Sequence, residues 1–327
     1  MRDLARAVDR SPMTVSRALR GDETVSAKTR EMITKAAADL GYVYDSTAQA
    51  FRTQKSGFVA VTLPSINNAN FAETFRGLSD GLENDTIQLL LGSTNYQVEK
   101  EHELVLQLLA RKPQAIVLTG GHHAPQTRQL LENARIPVVE IWDLPEDPLG
   151  HVVGFSNADA MARMVHHLVE NGRRKLAFVG ATLGSDLRGS ARRDGVIAAA
   201  QSLGLPDVTL IDAGPAPVSM HHGAQAITTL GEEILNYDAL VCVSDPVAFG
   251  ALSACQRLGF CVPEDIAITG FGHFDVAAVS SPRITTVGVH ANAIGQRVAQ
   301  VLHDIFEDKL EPQHIDVGSE LVVGETS

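Results

Sequence analysis

From Gly57 onward, short apolar runs alternate with amphipathic stretches, and that alternation restricts the folds open to this chain more than any other feature. The first set reads GFVAVTLPS, a helix over FAETFRGLSDGLE, then TIQLLLGST, EKEHELVLQLLARK, AIVLTGG, PQTRQLLENA and PVVEIWD. The second reads VVGFSN, ADAMARMVHHLVENG, KLAFVGA, RRDGVIAAAQSLG, VTLIDAG, GAQAITTLGEEIL, ALVCVSD, PVAFGALSACQRLG and DIAITGFG. Runs that are apolar throughout must be covered on both faces, and helices with one apolar stripe supply the cover. Strand-helix repeats of this kind satisfy both demands as parallel sheets with right-handed crossovers. Two sets of about five strands predict two doubly wound lobes, with ligands bound in the cleft beyond the carboxyl ends of the strands. The last segment (ITTVGV, ANAIGQRVAQVLHDIFEDKL and HIDVGSELVVGETS) returns to one lobe or the other, and periodicity does not choose between them.

The first 55 residues have a different character. DLARAVD makes a short amphipathic helix; Ser11-Pro12 joins a capping side chain to a proline in the first turn; and MTVSRALRG follows, with Gly21 as its stop. Two helices separated by about three residues form a helix-turn-helix. A third helix starts at Ser26 and runs to Gly41, with Ile33, Ala36, Ala37 and Leu40 on its apolar face. Charge separates head from body. Residues 1–55 hold ten Lys/Arg and seven Asp/Glu, whereas the whole chain has 27 and 39, a net charge of −12. The body is therefore acidic and the head mildly basic, as expected if the head alone meets phosphates.

Composition closes off several classes. With 44% hydrophobic residues and no low-complexity tract, the chain can bury full cores. No apolar run is long enough to span a membrane, and the N-terminus lacks an apolar signal core, so a cytoplasmic location without membrane attachment is expected. Cys242, Cys255 and Cys261 form no CxxC and lie in apolar surroundings, which indicates neither a disulfide framework nor zinc. The pairs His122-His123, His166-His167 and His221-His222 are poor chelates, because adjacent residues on a helix point about 100° apart. No GxGxxG, GxSxG or phosphate-binding loop occurs, and no nucleophile-base pair is legible. The expectation is a protein without enzymatic activity, cofactor or metal.

The string DLARAVDRSPMTVSRALRGDETVSAKTREMITKAAADLGYVYD resembles the DNA-binding head of the lac repressor family, and PEDIAITGF and SPRITTV carry the resemblance through the body. It implies a helix-turn-helix head at 1–44 and a hinge helix with linker at 45–56. The core it implies is two-lobed and periplasmic-binding-protein-like: 57–152 with 284–311 as the N-terminal lobe, and 153–283 with 312–327 as the C-terminal lobe. Its second helix should present Pro12, Met13, Thr14, Ser16 and Arg17 to DNA, with Arg17 contacting guanine or phosphate and Pro12 and Met13 meeting thymine methyls. Met13 packing inward is the alternative. Val15 and Leu19 belong to the core of the head. Two departures touch the first helix: Asp9 and Arg10 stand where the family places a glycine and an apolar residue, and the chain starts where relatives have several further residues. In the hinge, Phe51 matches the side chain that wedges between base steps in the minor groove, with Ala48 close to the groove floor; the alternative is that Phe51 caps the core of the body.

Within the family the chain is most similar to the gluconate-utilisation repressors. Phe71 matches an aromatic at the effector pocket, and Arg192 an arginine that holds an anionic or hydroxyl group. Ser244 and Asp245 match polar positions at a strand end. Gly272 and His273 replace the two acids of a GFDD motif found in sugar-binding relatives, which favours an anionic ligand, and His123 is a candidate for binding its carboxylate. The resemblance thus implies a homodimeric repressor that binds a pseudo-palindromic DNA operator and is controlled by a small ligand such as gluconate. A neutral sugar, a phosphorylated sugar or a purine in the same cleft, as inducer or co-repressor, and a solute-binding protein without regulatory role remain the alternatives.

Overall fold

The computed structural model describes residues 1–43, 56–83, 87–181, 186–307 and 311–327. The expectations for Ala48 and Phe51 lie outside the described residues. The chain divides into two units, Met1–Ser56 and Gly57–Ser327.

The head holds α1 (Arg2–Ala7), α2 (Pro12–Leu19) and α3 (Ala27–Asp39). Its boundaries follow local chemistry. The Ser11 hydroxyl accepts from Thr14 N at 3.1 Å, with Pro12 opening α2, and Ser26 accepts from Thr29 N at 3.3 Å to open α3. Asp9 turns the chain between α1 and α2 at φ 48°, and Gly21 ends α2 at φ 75°. Leu4, Val8, Val15, Ala18, Val25, Ile33 and Ala37 fill the core, with Leu19 packed against it. Leu40 departs from the expected apolar face: it follows the last turn of α3 and is 55% exposed.

In the body, β1 (Phe58–Leu63), β2 (Gln88–Ser93), β3 (Ile116–Thr119), β4 (Val138–Ile141) and β5 (His151–Gly154) precede β6 (Leu176–Gly180), β7 (Thr209–Asp212), β8 (Ala239–Cys242) and β9 (Ala267–Thr269). The chain ends with β10 (Thr286–Gly288), β11 (His314–Asp316) and β12 (Glu320–Val322). Two parallel sheets result, in the orders β11-β5-β4-β3-β1-β2 and β7-β6-β8-β9. β10 and β12 form an antiparallel ribbon, tied to the second sheet by a bridge between Thr269 and Thr285.

The expected pair of five-stranded lobes is therefore corrected to six strands and four with a ribbon. VVGFSN does not open the second set, because β5 pairs with β4 in the first sheet. HIDV does not lie in the C-terminal lobe, because β11 pairs with β5. The lobe boundaries expected at 152/153, 283/284 and 311/312 fall instead after Gly154, after the strand Thr286–Gly288 and after Asp316. Strand pairing decides these boundaries, and a short apolar run carries no record of its partner.

Nine helices are described in the body: α4 (Ala69–Gly81), α5 (Val98–Leu109), α6 (Pro125–Ala134), α7 (Asn157–Glu170), α8 (Leu187–Ser202), α9 (Met220–Leu230), α10 (Asp245–Leu258), α11 (Asp275–Val279) and α12 (Ala291–Phe306). Although late in sequence, α12 packs on α4 of the N-terminal lobe, and glycines let the two backbones meet. A Cβ on Gly295 would lie 2.0 Å from Thr74 O, and one on Gly77 would lie 2.2 Å from Asn292 O. This contact fixes α4, whose first turn faces the cleft. Gly295→Ala is expected to destabilise the body by roughly 1–3 kcal/mol through overpacking against backbone. Urea unfolding followed by the fluorescence of Trp142, the single tryptophan, checks this, and an unshifted midpoint would contradict it.

Candidate functional site

The cleft is built from strand ends and helix starts. Asn68 caps α4, its side-chain oxygen accepting from Asn70 N at 3.0 Å and Phe71 N at 3.4 Å. Trp142 follows β4, Phe155 follows β5, and Phe271 follows β9. These aromatics form a continuous chain through the buried floor: Phe71 meets Trp142 edge-on at 5.1 Å, Trp142 meets Phe155 at 5.7 Å, and Phe155 meets Phe271 at 6.1 Å. Trp142 sits at φ 70°, a conformation costly for a bulky residue by about 1–3 kcal/mol. Its surroundings hold it there: the indole N–H donates to Thr74 Oγ1 at 3.1 Å, and Asn157 donates to its carbonyl at 3.0 Å.

Over this floor lie two guanidinium groups one helical turn apart on α8. Arg188 stands 5.7 Å from the Phe71 ring, and Arg192 4.3 Å from the Phe271 ring. Arg192 donates through Nε to Arg188 O at 3.1 Å and through Nη1 to Val243 O at 2.7 Å. Among the described residues no carboxylate lies within salt-bridge distance of it, whereas Asp186 stands 3.9 Å from Arg188. Burial pulls the Arg192 pKa below its ordinary value, with Asp186 opposing and Arg188 reinforcing that shift. Both arginines, with Asn68, Phe71, Tyr96, Trp142, Asp186, Ser244, Phe271 and Phe274, line one cavity. Arg188 and Tyr96 also line a smaller adjoining cavity, walled by Thr94, Gln97, Glu101, Thr119, His122 and Asp143. A half-buried cation that, among the described residues, is committed to backbone carbonyls and an aromatic face is suited to an anionic ligand.

Of the expected effector residues, Phe71, Arg192 and Ser244 come together on the larger cavity. Asp245 does not reach it. Fully buried, it accepts from Thr286 Oγ1 at 2.5 Å and from Phe274 N at 2.7 Å, and burial raises its carboxyl to about 6. It latches the 271–274 loop to β10. Gly272 and His273 border a separate groove with His290 and Glu320, because their backbones turn at φ 116° and 51°. Asn70 donates to Gly272 O at 2.8 Å, and Phe274 occupies the cavity wall instead.

His123 is the largest correction. Its side chain is fully buried, donating through Nδ1 to Glu101 Oε1 at 2.7 Å, with Nε2 3.4 Å from Glu140 Oε1. It touches neither cavity, whose wall carries His122 and Glu101. Burial disfavours the imidazolium, but the hydrogen bond it donates to Glu101, the Glu140 carboxylate beside its Nε2 and the charges of both acids outweigh this and raise its pKa to about 9. The reading of Cys261 is also corrected: it is exposed, unlike Cys242 and Cys255. Sequence reasoning missed Arg188, Tyr96, Trp142, Phe271 and Phe274. The four-residue spacing from Arg192 could have found Arg188, and the position after a parallel strand could have found Trp142 and Phe271.

In the head, α2 leaves Pro12, Met13 and Arg17 exposed, Met13 to 65%, so it does not pack inward. Arg17 Nε lies 4.0 Å from Asp22, a solvent-screened pair. Ser16 is half-buried, and Thr14, also half-buried, bonds to the Ser11 hydroxyl at 2.9 Å.

Comparison with known proteins accords with these two units. Residues 1–45 match the family described as bacterial regulatory proteins, lacI family, and residues 165–327 match the periplasmic binding protein-like domain. The chain is 33% identical, over 100% of its length and 95% of theirs, to the HTH-type transcriptional regulator GntR of Pseudomonas aeruginosa. The regulator of the same name from Escherichia coli K12 is 32% identical over 99% of this chain and 97% of its own. A crystal structure of a LacI family transcriptional regulator from Silicibacter pomeroyi is 40% identical, covers 83% of this chain and 98% of that one, and superposes with a TM-score of 0.77.

The buried His123 pair has a pH signature. A histidine whose folded pKa stands near 9 against 6.5 unfolded contributes stability that is complete below pH 6.5 and fades as pH rises through 9. The contribution is on the order of 3 kcal/mol. Urea midpoints of the parent chain should therefore fall between pH 6.5 and 9.5, and His123→Gln should reduce that fall. Parallel pH profiles for the two would refute the charged pair.

Proposed function

The chain belongs to the lac repressor family of DNA-binding transcription regulators, and on that premise we propose that it is a homodimeric repressor released from a pseudo-palindromic operator by a sugar acid bound between its lobes. Arg192 carries the ligand class. Half-buried, and among the described residues without a carboxylate in salt-bridge contact, it is held by Val243 O and the Phe271 ring and opens onto a cavity whose other cation is Arg188. Leaving such a charge uncompensated is costly, and a ligand carboxylate compensates it with charge-assisted hydrogen bonds. Asn68, Asn70 and Tyr96 supply neutral partners for hydroxyls in the same cavity.

A ligand that binds one arrangement of the lobes more tightly shifts the population toward it, and operator affinity follows by linkage. Pairing of two heads through a two-fold axis is what a pseudo-palindromic site requires. Pro12, Met13 and Arg17 are the exposed residues of α2 that fit base and phosphate contact. The ring-walled cavity of Phe71, Phe271 and Phe274 favours a second reading, a purine stacked there as co-repressor.

Operator binding followed by fluorescence anisotropy, with and without D-gluconate, separates the roles of the two arginines. Arg17→Ala should weaken operator binding by roughly 1–3 kcal/mol whether or not gluconate is present. Arg192→Met should leave operator affinity intact, abolish release by gluconate, and leave the ligand-free chain as stable as the parent or up to about 3 kcal/mol more so. Operator binding that tightens with hypoxanthine and does not respond to gluconate, or release by gluconate that survives Arg192→Met, would overturn the sugar-acid reading.

A further inference from the structure

Glu101, in the first turn of α5, puts a carboxylate on the wall of the smaller cavity, which Arg188 also lines and Arg192 does not. Its Oε1 is fixed by His123 at 2.7 Å. His123 stands against Glu140, and Glu140 Oε2 accepts from Leu149 N at 2.7 Å. Elements of the N-terminal lobe distant in sequence thus hold one cavity-lining oxygen pair. Among the described residues Oε2 of Glu101 has no hydrogen-bond donor, although the residue is only 7% exposed. A nearly buried carboxylate oxygen without a donor favours a hydroxyl that donates to it and repels a second anion. Arg188 lines both cavities and so joins the cationic end to the Glu101 end.

We propose that Glu101 is a specificity-determining residue that accepts a hydroxyl from the far end of the ligand and excludes ligands with an anionic group there, and that His123 and Glu140 are the positioning residues that hold it. The inference rests on the sugar-acid reading and adds the orientation of the ligand: carboxylate on Arg188 and Arg192, hydroxyl chain toward Glu101. The site then admits aldonic acids, with one carboxylate, and rejects aldaric acids and phosphorylated aldonic acids, which are charged at both ends.

The test is calorimetric titration of the full chain with D-gluconate and D-glucarate. The parent should bind gluconate at least tenfold more tightly than glucarate. Glu101→Gln should collapse that ratio to near one, by weakening gluconate and strengthening glucarate. Glu101→Asp, which keeps the charge, should weaken gluconate and still exclude glucarate, and it provides the same reading if the glutamine variant does not fold. His123→Ala should shift the ratio as Glu101→Gln does, and His123→Gln, which retains a donor for Oε1, should restore part of it; a purely structural role would change both affinities alike. If the parent binds gluconate and the ratio is the same in Glu101→Gln, the specificity role is overturned while the sugar-acid reading stands. If the parent binds neither acid, that reading fails first and takes this one with it.

Discussion

The guanidinium of Arg192, set between the Phe271 ring and the Val243 carbonyl with no carboxylate of the described residues in salt-bridge contact, is the charge around which the cleft is arranged. A cation in that position is tolerable only where backbone carbonyls and aromatic faces partly replace water. The structure supplies both from elements that meet only in the folded body: β8 leads into Val243, β9 into Phe271, and α8 carries the arginine itself. The aromatic chain continues the same surface into the N-terminal lobe, where Trp142 accepts an unfavourable backbone conformation to complete it. The locally costly features, a partly desolvated cation and a strained tryptophan, coincide at one cavity, as expected where ligand binding and not stability sets the residues.

Acidic side chains near the cleft are placed so that they do not neutralise this charge. Asp245 is turned inward onto Thr286 and the Phe274 amide, Glu101 is tied to His123, and Asp186 makes its ion pair, at 3.9 Å, with Arg188. The close backbone contact of α12 with α4 at Gly77 and Gly295 holds Asn68, Asn70 and Phe71 at the opposite lip. Lobe packing and ligand chemistry are linked through these few elements. On the proposed reading, a ligand bridging the lips stabilises one arrangement over another by its difference in affinity, and this is the free energy available to change operator binding.

The alternation of apolar runs and amphipathic helices was enough to read two parallel α/β lobes, and Ser11-Pro12 and Ser26 were enough to place two helix starts in the head, because both signals are local. Membership of β5 and β11 in the first sheet was not legible, since it depends on which strands pair. The same distinction runs through the site. Arg192 and Phe71 were found through the resemblance of their surrounding motifs, and both line the cavity. His123, singled out on its motif alone, proved to be a buried partner of Glu101 and Glu140, which lie far from it in sequence. Trp142, Phe271 and Phe274 went unread because an aromatic after a strand looks like core until the sheets are set in register.

The most direct test of the account compares D-gluconate with D-glucitol, a neutral polyol of the same chain length, by calorimetry on the full chain across a range of salt. If the Arg192 guanidinium defines the site, gluconate should bind at least about 100-fold more tightly, corresponding to roughly 2.7 kcal/mol. Equal affinity for the acid and the neutral polyol would contradict the account, whatever the operator-binding activity of the head.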